Sequence, residues 1–467
     1  MCVFFDVNPP CLGVKETGMP AKGRHCLAGR SNRMRPGPGN VWNGGEKERW
    51  NRMSGVSTAM TAEVVFTLTY LGIACGRLPG LAIDRTGIAL LGAIAMVVGG
   101  VMTTAEAFTA IDIPTILLLY SLMVISAQLR LGGFYAWSAR RIIPLLHRPR
   151  LFLAVSMLLA ATLSALLAND IVCLAFTPVL IHGLVGARLN PVPFLLGLAL
   201  SSNIGSAATI IGNPQNMLIG QSAGLDFTSF LRWCLPPSLL ALAAGYLLLV
   251  LCYRRRLVAG AESATARLSR DAAWPEFNRH QTAKGLAAVV ILVALFFTPV
   301  PREVSAIGLA GLLLCSRRYD TRRILGLVDW HLITLFCALF IVVHGMSAGD
   351  LPARLMAGLQ GWGIDVGAPL TLTAVSAVLS NIFSNVPAVM VLIQFLDPAD
   401  HHLWYVLAVS STFAGNFILI GSIANLIVVE QALAEGVVVS FAEHARIGIP
   451  VTLASLAILA GWIALAG

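Results

Sequence analysis

Twelve stretches of this chain are apolar over lengths that leave a water-soluble fold no room to form. They run roughly over 62–79, 85–103, 114–132, 150–185, 193–222, 229–252, 284–300, 303–316, 329–348, 366–397, 402–433 and 446–466. A helix needs about 20 predominantly apolar residues to cross a bilayer. Between the stretches there is too little charge to clothe a wet surface: 12% of the 467 residues are Asp, Glu, Lys or Arg, against about 25% in soluble domains. A cytosolic enzyme, a nucleic-acid binder and a disordered protein are excluded. The fold class read from the sequence is an all-α polytopic membrane protein, with the lipid bilayer as its first partner and no nucleic acid.

Two stretches, 150–185 and 366–397, are too long for one crossing and are interrupted by Asn169-Asp170 and by Ser380-Asn381 and Ser384-Asn385. Such a run is either two crossings or a re-entrant hairpin that turns at membrane depth. Loop charge chooses between them. Arg130–Arg150, Arg254-Arg255-Arg256 and Arg317–Arg323 are basic, whereas the loops at Glu106/Asp112, Asp226, Asp350/Asp365 and Asp397/Asp400 are not. With the basic loops in the cytoplasm, both long runs become hairpins. The expected topology is ten crossings plus two hairpins, both termini outside, in a bacterial-type cytoplasmic (inner) membrane.

The net charge of +9 comes from 32 Lys+Arg against 23 Asp+Glu, and five of those charges sit in the first 52 residues. Residues 1–58 are polar, rich in Gly, Pro and Arg, and without hydrophobic period, which reads as a disordered basic tail. No apolar core follows it, so it is no signal peptide. Met53 or Met60 is the expected true start. The domain division is repeat 1 over 59–257, a cytoplasmic linker over 258–282 and repeat 2 over 283–467. Nine scattered Cys form no CxxC pair and no disulfide framework.

The halves echo each other. Asp112 opens a span 57 residues before Asn169, and Asp329 opens one 56 residues before Asn385. After each hairpin comes a span broken by glycine and polar residues: Gly205-Ser206-Ala207-Ala208-Thr209-Ile210-Ile211-Gly212-Asn213-Pro214-Gln215-Asn216, then Gly415-Asn416-Phe417-Ile418-Leu419-Ile420-Gly421-Ser422-Ile423-Ala424-Asn425. Each half counts five crossings, an odd number, so the expected arrangement is two inverted-topology repeats, each with a re-entrant hairpin and a broken transmembrane helix. The plainer alternative is duplication without a shared site, with glycines that only let helices pack.

Asn169-Asp170…Thr177-Pro178 and these two broken-span motifs resemble the ion transporter superfamily, which includes arsenite permeases, sodium–proton antiporters of similar fold, and citrate and dicarboxylate–sodium symporters. The resemblance covers about residues 62–466. It implies a scaffold and a moving transport domain in which two hairpin tips and two unwound helices meet at mid-membrane, and a homodimer formed through the outer helices. Dicarboxylate symporters carry Ser-Asn-Thr at both tips. Ala168-Asn169-Asp170 and Ser384-Asn385-Val386 are nearer to the arsenite permease and antiporter branches and to uncharacterised anion permeases.

A broken helix frees N–H groups at the start of one half and C=O groups at the end of the other, for an anion and a cation respectively. Gly205, Gly212, Gly415 and Gly421 permit the unwinding and Pro214 enforces it. Asn169, Asn213, Asn216, Asn385, Asn416 and Asn425 supply donors and acceptors; Ser206, Thr209, Ser384 and Ser422 supply hydroxyls. Of these, Asn169, Thr209, Asn213, Asn385 and Ser422 are expected to border substrate or ion, the alternative being that the amides only cap the broken helices. Asp170 is the sharpest candidate. A mid-membrane carboxylate costs roughly 2.5–3.5 kcal/mol on insertion scales, and no Lys or Arg lies in either hairpin core. It is therefore expected to hold a coupling H⁺, or Na⁺ together with Asn169 and Asn385, unless it is a protonated helix cap. His344, His182 and Glu430 are weaker candidates, and Asp112 and Asp329 read as helix caps.

The function read from this pattern is secondary active transport of a small anion or oxyanion, coupled to Na⁺ or H⁺ and needing no other cofactor. Arsenite or antimonite efflux and sodium–proton antiport are the alternatives. An intramembrane enzyme lacks its motifs here: there is no His-Glu-x-x-His, Gly-x-Gly-Asp or Asp-rich box. A channel would call for continuous polar stripes or charged rings rather than midpoint breaks.

Overall fold

The computed structural model describes residues 58–76, 82–258, 276–347 and 351–466. The basic tail, apart from its last residue, and most of the 258–282 linker lie outside them. The described residues form twenty α-helices and no strand, and the chain is an all-α, multi-pass membrane protein.

The first ten helices are α1 (Thr58–Cys75), α2 (Arg85–Val98), α3 (Thr104–Ala110), α4 (Ile113–Leu131), α5 (Phe134–Ile142), α6 (Pro149–Leu167), α7 (Asn169–Gly186), α8 (Val192–Ser206), α9 (Pro214–Ser222) and α10 (Phe227–Val258). The second ten are α11 (Arg279–Leu295), α12 (Arg302–Leu314), α13 (Thr321–Leu325), α14 (Trp330–Met346), α15 (Leu351–Gly361), α16 (Pro369–Phe383), α17 (Asn385–Leu392), α18 (His401–Ala414), α19 (Ile423–Ala434) and α20 (Phe441–Ala466). Element for element the order repeats. α11 starts inside the segment expected as linker. The short helices α3, α5, α13 and α15 carry no long apolar run and went unexpected.

The few acidic residues near the spans sit where a helix start wants them. Asp84, Asp112 and Asp329 accept from Gly87 N (2.9 Å), Thr115 N (2.8 Å) and Leu332 N (3.0 Å), and Thr103 with Glu106 closes a capping box. Asp112 and Asp329 are thus caps, as their positions suggested.

Polarity is arranged inside out. Leu68, Leu251, Val290, Leu312 and Leu465 are exposed on α1, α10, α11, α12 and α20, while Ser202, Asn203, Asn213, Asn216, Asn416 and Asn425 are wholly buried. All fifteen residues of α8 are buried. An apolar outside costs nothing in lipid, and the polar interior must then satisfy itself.

Packing is reciprocal. α2 lies on α14, and α12, its counterpart, lies on α4; α6 packs on α8 as α16 packs on α18; α7 meets α19 as α17 meets α9; α10 packs on α20. The last pair also matches in sequence. Phe227, Phe230, Arg232, Pro236 and Ser238 of α10 stand at the same spacing as Phe441, His444, Arg446, Pro450 and Thr452 of α20.

Candidate transport site

Both long apolar runs are helix–helix hairpins, each broken at a single residue. Ala168 (φ 68°, ψ 135°) separates α6 from α7, and Ser384 (φ 76°, ψ 160°) separates α16 from α17. The break therefore falls one residue before Asn169-Asp170, which are the first two residues of α7. Ser380 and Asn381, read as an interruption, are helical. The Asn381 amide donates to Ala377 O of its own helix (2.9 Å) and to Ala414 O of α18 (3.0 Å).

The two broken spans unwind at 207–213 and 415–422, within the glycine-bounded motifs. Glycine is required at several points by contact rather than by turn geometry. A Cβ on Gly212 would collide with the Ser206 carbonyl, and one on Gly205 with the Ala161 backbone. One on Gly415 would meet the Asn385 amide, and one on Gly421 would come to 2.8 Å from Asn381 Oδ1.

Tip and break are tied together. Asn169 N donates to Gly212 O (2.9 Å), and Asn385, with its amide nitrogen turned inward, donates to Gly421 O (3.0 Å) and Ser411 O (3.1 Å). Matching serine pairs brace each hairpin against its broken helix: Ser164–Ser202 (2.7 Å) and Ser376–Ser410 (2.6 Å). Thr209 Oγ1 donates to Ala165 O (2.5 Å), the counterpart of the Asn381 bond to Ala414.

Each break is closed by its own amides. Asn213 caps α9 through Asn216 N (2.8 Å) and donates to Ser206 Oγ (2.9 Å) and Thr412 Oγ1 (3.2 Å). Asn216 donates to Ser206 O and Thr209 O, as Asn425 donates to Gly415 O (2.8 Å). Ser422 caps α19 through Ala424 N (3.2 Å) and donates to Asn203 Oδ1 (3.0 Å).

The residue that joins the two halves was missed as a site candidate. Asn203 on α8 accepts from Asn169 Nδ2 (2.9 Å) and from Ser422, and donates to Asn416 Oδ1 (2.8 Å) and Asn425 Oδ1 (3.2 Å). One buried side chain thus holds the first tip and the second break. Its signal was present, as an asparagine two residues before Gly205, but three of its four partners lie more than 200 residues away.

Asn169, Asp170, Pro214, Gln215, Ser384, Asn385, Val386, Ser422 and Ile423 enclose a small cavity, with about 10 Å³ open to the centre of a water molecule, space for roughly one water. Each of these residues caps, or opens the first turn of, α7, α9, α17 or α19. Four helix N-termini therefore converge on one point. Their first-turn N–H groups have no carbonyl of their own helix to meet, and each end carries roughly half a positive charge. Asp170 is the only ionisable residue in the lining. No donor among the described residues reaches its carboxylate, and the buried Asn169 Oδ1 beside it also lacks a partner.

Of the predicted residues, Asn169, Asp170, Ser384, Asn385 and Ser422 line this cavity. Gly205, Ser206, Thr209, Gly212, Asn213, Asn216, Gly415, Asn416, Gly421 and Asn425 instead build the breaks that surround it. Thr209 and Asn213, expected at its border, are spent on internal bonds. Gln215 lines the cavity and was not predicted; its amide donates to Thr412 Oγ1 (3.2 Å). His344 and Asp112 lie together on the wall of a separate, larger cavity with Ser222, Ser347 and Gln394.

The citrate transporter family matches residues 70–403, most of the chain. The chain belongs to that family. The chain is 30% identical over 426 residues to a 46 kDa membrane protein of Mycobacterium leprae, covering 86% of this chain and 97% of that protein. It is 28% identical to the silicon efflux transporter LSI3 of Oryza sativa subsp. japonica (87% and 98% covered) and 25% identical to the putative transporter arsB of Dictyostelium discoideum (82% and 87%). This member of the citrate transporter family is a membrane transporter and not an enzyme.

Proposed function

We propose that the chain is a secondary active transporter that carries a small anion or oxyanion across the cytoplasmic membrane, with H⁺ or Na⁺ coupled to it at Asp170. The observation that carries this is the meeting of four helix N-termini around one carboxylate. Four ends nominally sum to about two positive charges, which attract an anion. Asp170 opposes that attraction unless a proton or cation accompanies it, and this opposition is a physical basis for coupling. Asn169 Oδ1, Asp170 and the Asn385 amide oxygen are hard oxygen donors of the kind a monovalent cation takes.

The reciprocal packing supports two related halves, and the bond from Asn169 N to Gly212 O, which ties the hairpin tip to the break of a neighbouring span, supports re-entry. The cavity is sized for an ion or a water. A polyatomic anion enters when the tips part from the half-helices, which is the motion alternating access needs.

A second reading is favoured by the unpaired carboxylate. A small neutral hydroxy acid could donate to Asp170 while accepting from the first-turn N–H groups, and relatives bear the names silicon efflux transporter and arsB. Counterflow in proteoliposomes with citrate, silicic acid and arsenite separates the two. Citrate exchange that depends on Na⁺ or pH supports the first reading; silicic acid or arsenite exchange without such dependence supports the second. Asp170→Asn is expected to reduce gradient-driven uptake to background at unchanged expression. Full coupled uptake in that variant removes Asp170 from the mechanism.

A further inference from the structure

His444, in the first turn of α20, is 1% exposed, and neither of its ring nitrogens has a hydrogen-bond partner among the described residues. A neutral imidazole brings one donor and one acceptor, and each buried group left unmade costs about 1–3 kcal/mol. Packing does not demand a polar ring here. The matching position in α10 is Phe230, 0% exposed and set edge-on to Tyr405. The second half thus keeps a ring where the first has one, but a ring that can take up a proton.

Its surroundings are those of the second break. The space where a Cβ on Gly448 would sit, one turn further along α20, is bounded by Asn416 O of the unwound segment and by His444 Nδ1 at 3.1 Å. Of the charges on its own helix, Glu443 is engaged with α10: it pairs with Arg256 (2.5 Å), and its carbonyl accepts from Tyr253 OH (3.4 Å). Arg446 is the other charge on α20. α16, which also packs on α20, carries no titratable residue, and His401, His402 and Tyr405 lie at the opposite end of α18 from Asn416.

We propose that His444 is a proton-binding site of the transport cycle, separate from Asp170. When the Gly415–Ser422 segment shifts, water reaches the ring and a proton from that water adds to the free ring nitrogen. The imidazolium then has two N–H donors and the Asn416 carbonyl as an acceptor at the break. Closure of the segment returns the proton to water. The inference rests on the carrier reading only in requiring that the break move.

The test uses the full chain in nanodiscs of phosphatidylethanolamine and phosphatidylglycerol, with ¹⁵N-labelled histidine. His444→Phe copies the first half and identifies the His444 signal among the nine histidines; His444→Gln serves if the phenylalanine variant misfolds. The signal is expected to move from the neutral toward the imidazolium position as the pH is lowered. In proteoliposomes, the pH dependence of citrate, silicic acid or arsenite exchange should flatten in the variant relative to the unmodified protein. A signal that stays neutral at every pH at which the protein remains folded overturns the proposal, as does an unchanged pH profile. The spectroscopic arm needs no transported solute, so failure of the carrier reading, seen as no exchange by the unmodified protein, is distinguishable from failure here.

Discussion

The two hairpin tips use one backbone device and differ in what they place on it. Both break at a single non-glycine residue with positive φ, both put an asparagine first in the next helix, and both lean on the break of a neighbouring span. The first tip then carries Asp170 at the head of an 18-residue helix; the second carries Val386 at the head of an eight-residue one. Both tips line the cavity, and Asp170, matched by Val386, is the ionisable residue in its lining. The same division recurs at Phe230 and His444. In both places one half carries an apolar side chain where the other carries an ionisable one.

That comparison can be broken at the glycines first. Gly212→Ala drives a Cβ into a backbone carbonyl that cannot swing away, whereas in Gly421→Ala the nearest obstacle is the Asn381 side chain. The first is expected to destabilise by about 3 kcal/mol, the upper end of overpacking costs, and the second by about 1 kcal/mol. The fraction surviving a heat step on size-exclusion chromatography ranks them, and equal losses would mean the two breaks are packed alike.

A smaller asymmetry lies in the amide network. Asn203 joins four partners, while Thr412, in the matching helix of the second half, accepts from Asn213 and Gln215. Asn203→Ala strands several buried groups and should cost about 2–3 kcal/mol; Thr412→Val should cost about 1 kcal/mol. If the two variants survive the same heat step equally well, the junction between halves does not run through Asn203.

Much of this was legible in the sequence. Pro214 and the glycine–asparagine motifs placed both breaks, because those residues act through local backbone rules. Asp112 and Asp329 were readable as caps for the same reason. The tips were placed at Ala168-Asn169-Asp170 and Ser384-Asn385-Val386, but which residue of each carries the break was not readable, since nothing in an alanine signals positive φ. Asn203 escaped because an asparagine inside a helix looks ordinary until its partners across the molecule are known. Thr209 and Asn213 make hydrogen bonds within the fold that their positions in the sequence did not announce.

The central claim is that two halves enter the membrane from opposite faces and meet at the four helix starts. It is tested most directly by single cysteines at the hairpin bases, His147→Cys before α6 and Trp362→Cys before α16, each in a cysteine-free background. Both positions are exposed. With a membrane-impermeant maleimide applied to vesicles of known orientation, the account predicts labelling of the first from one face only and of the second from the other face only. Labelling of both from the same face would contradict it.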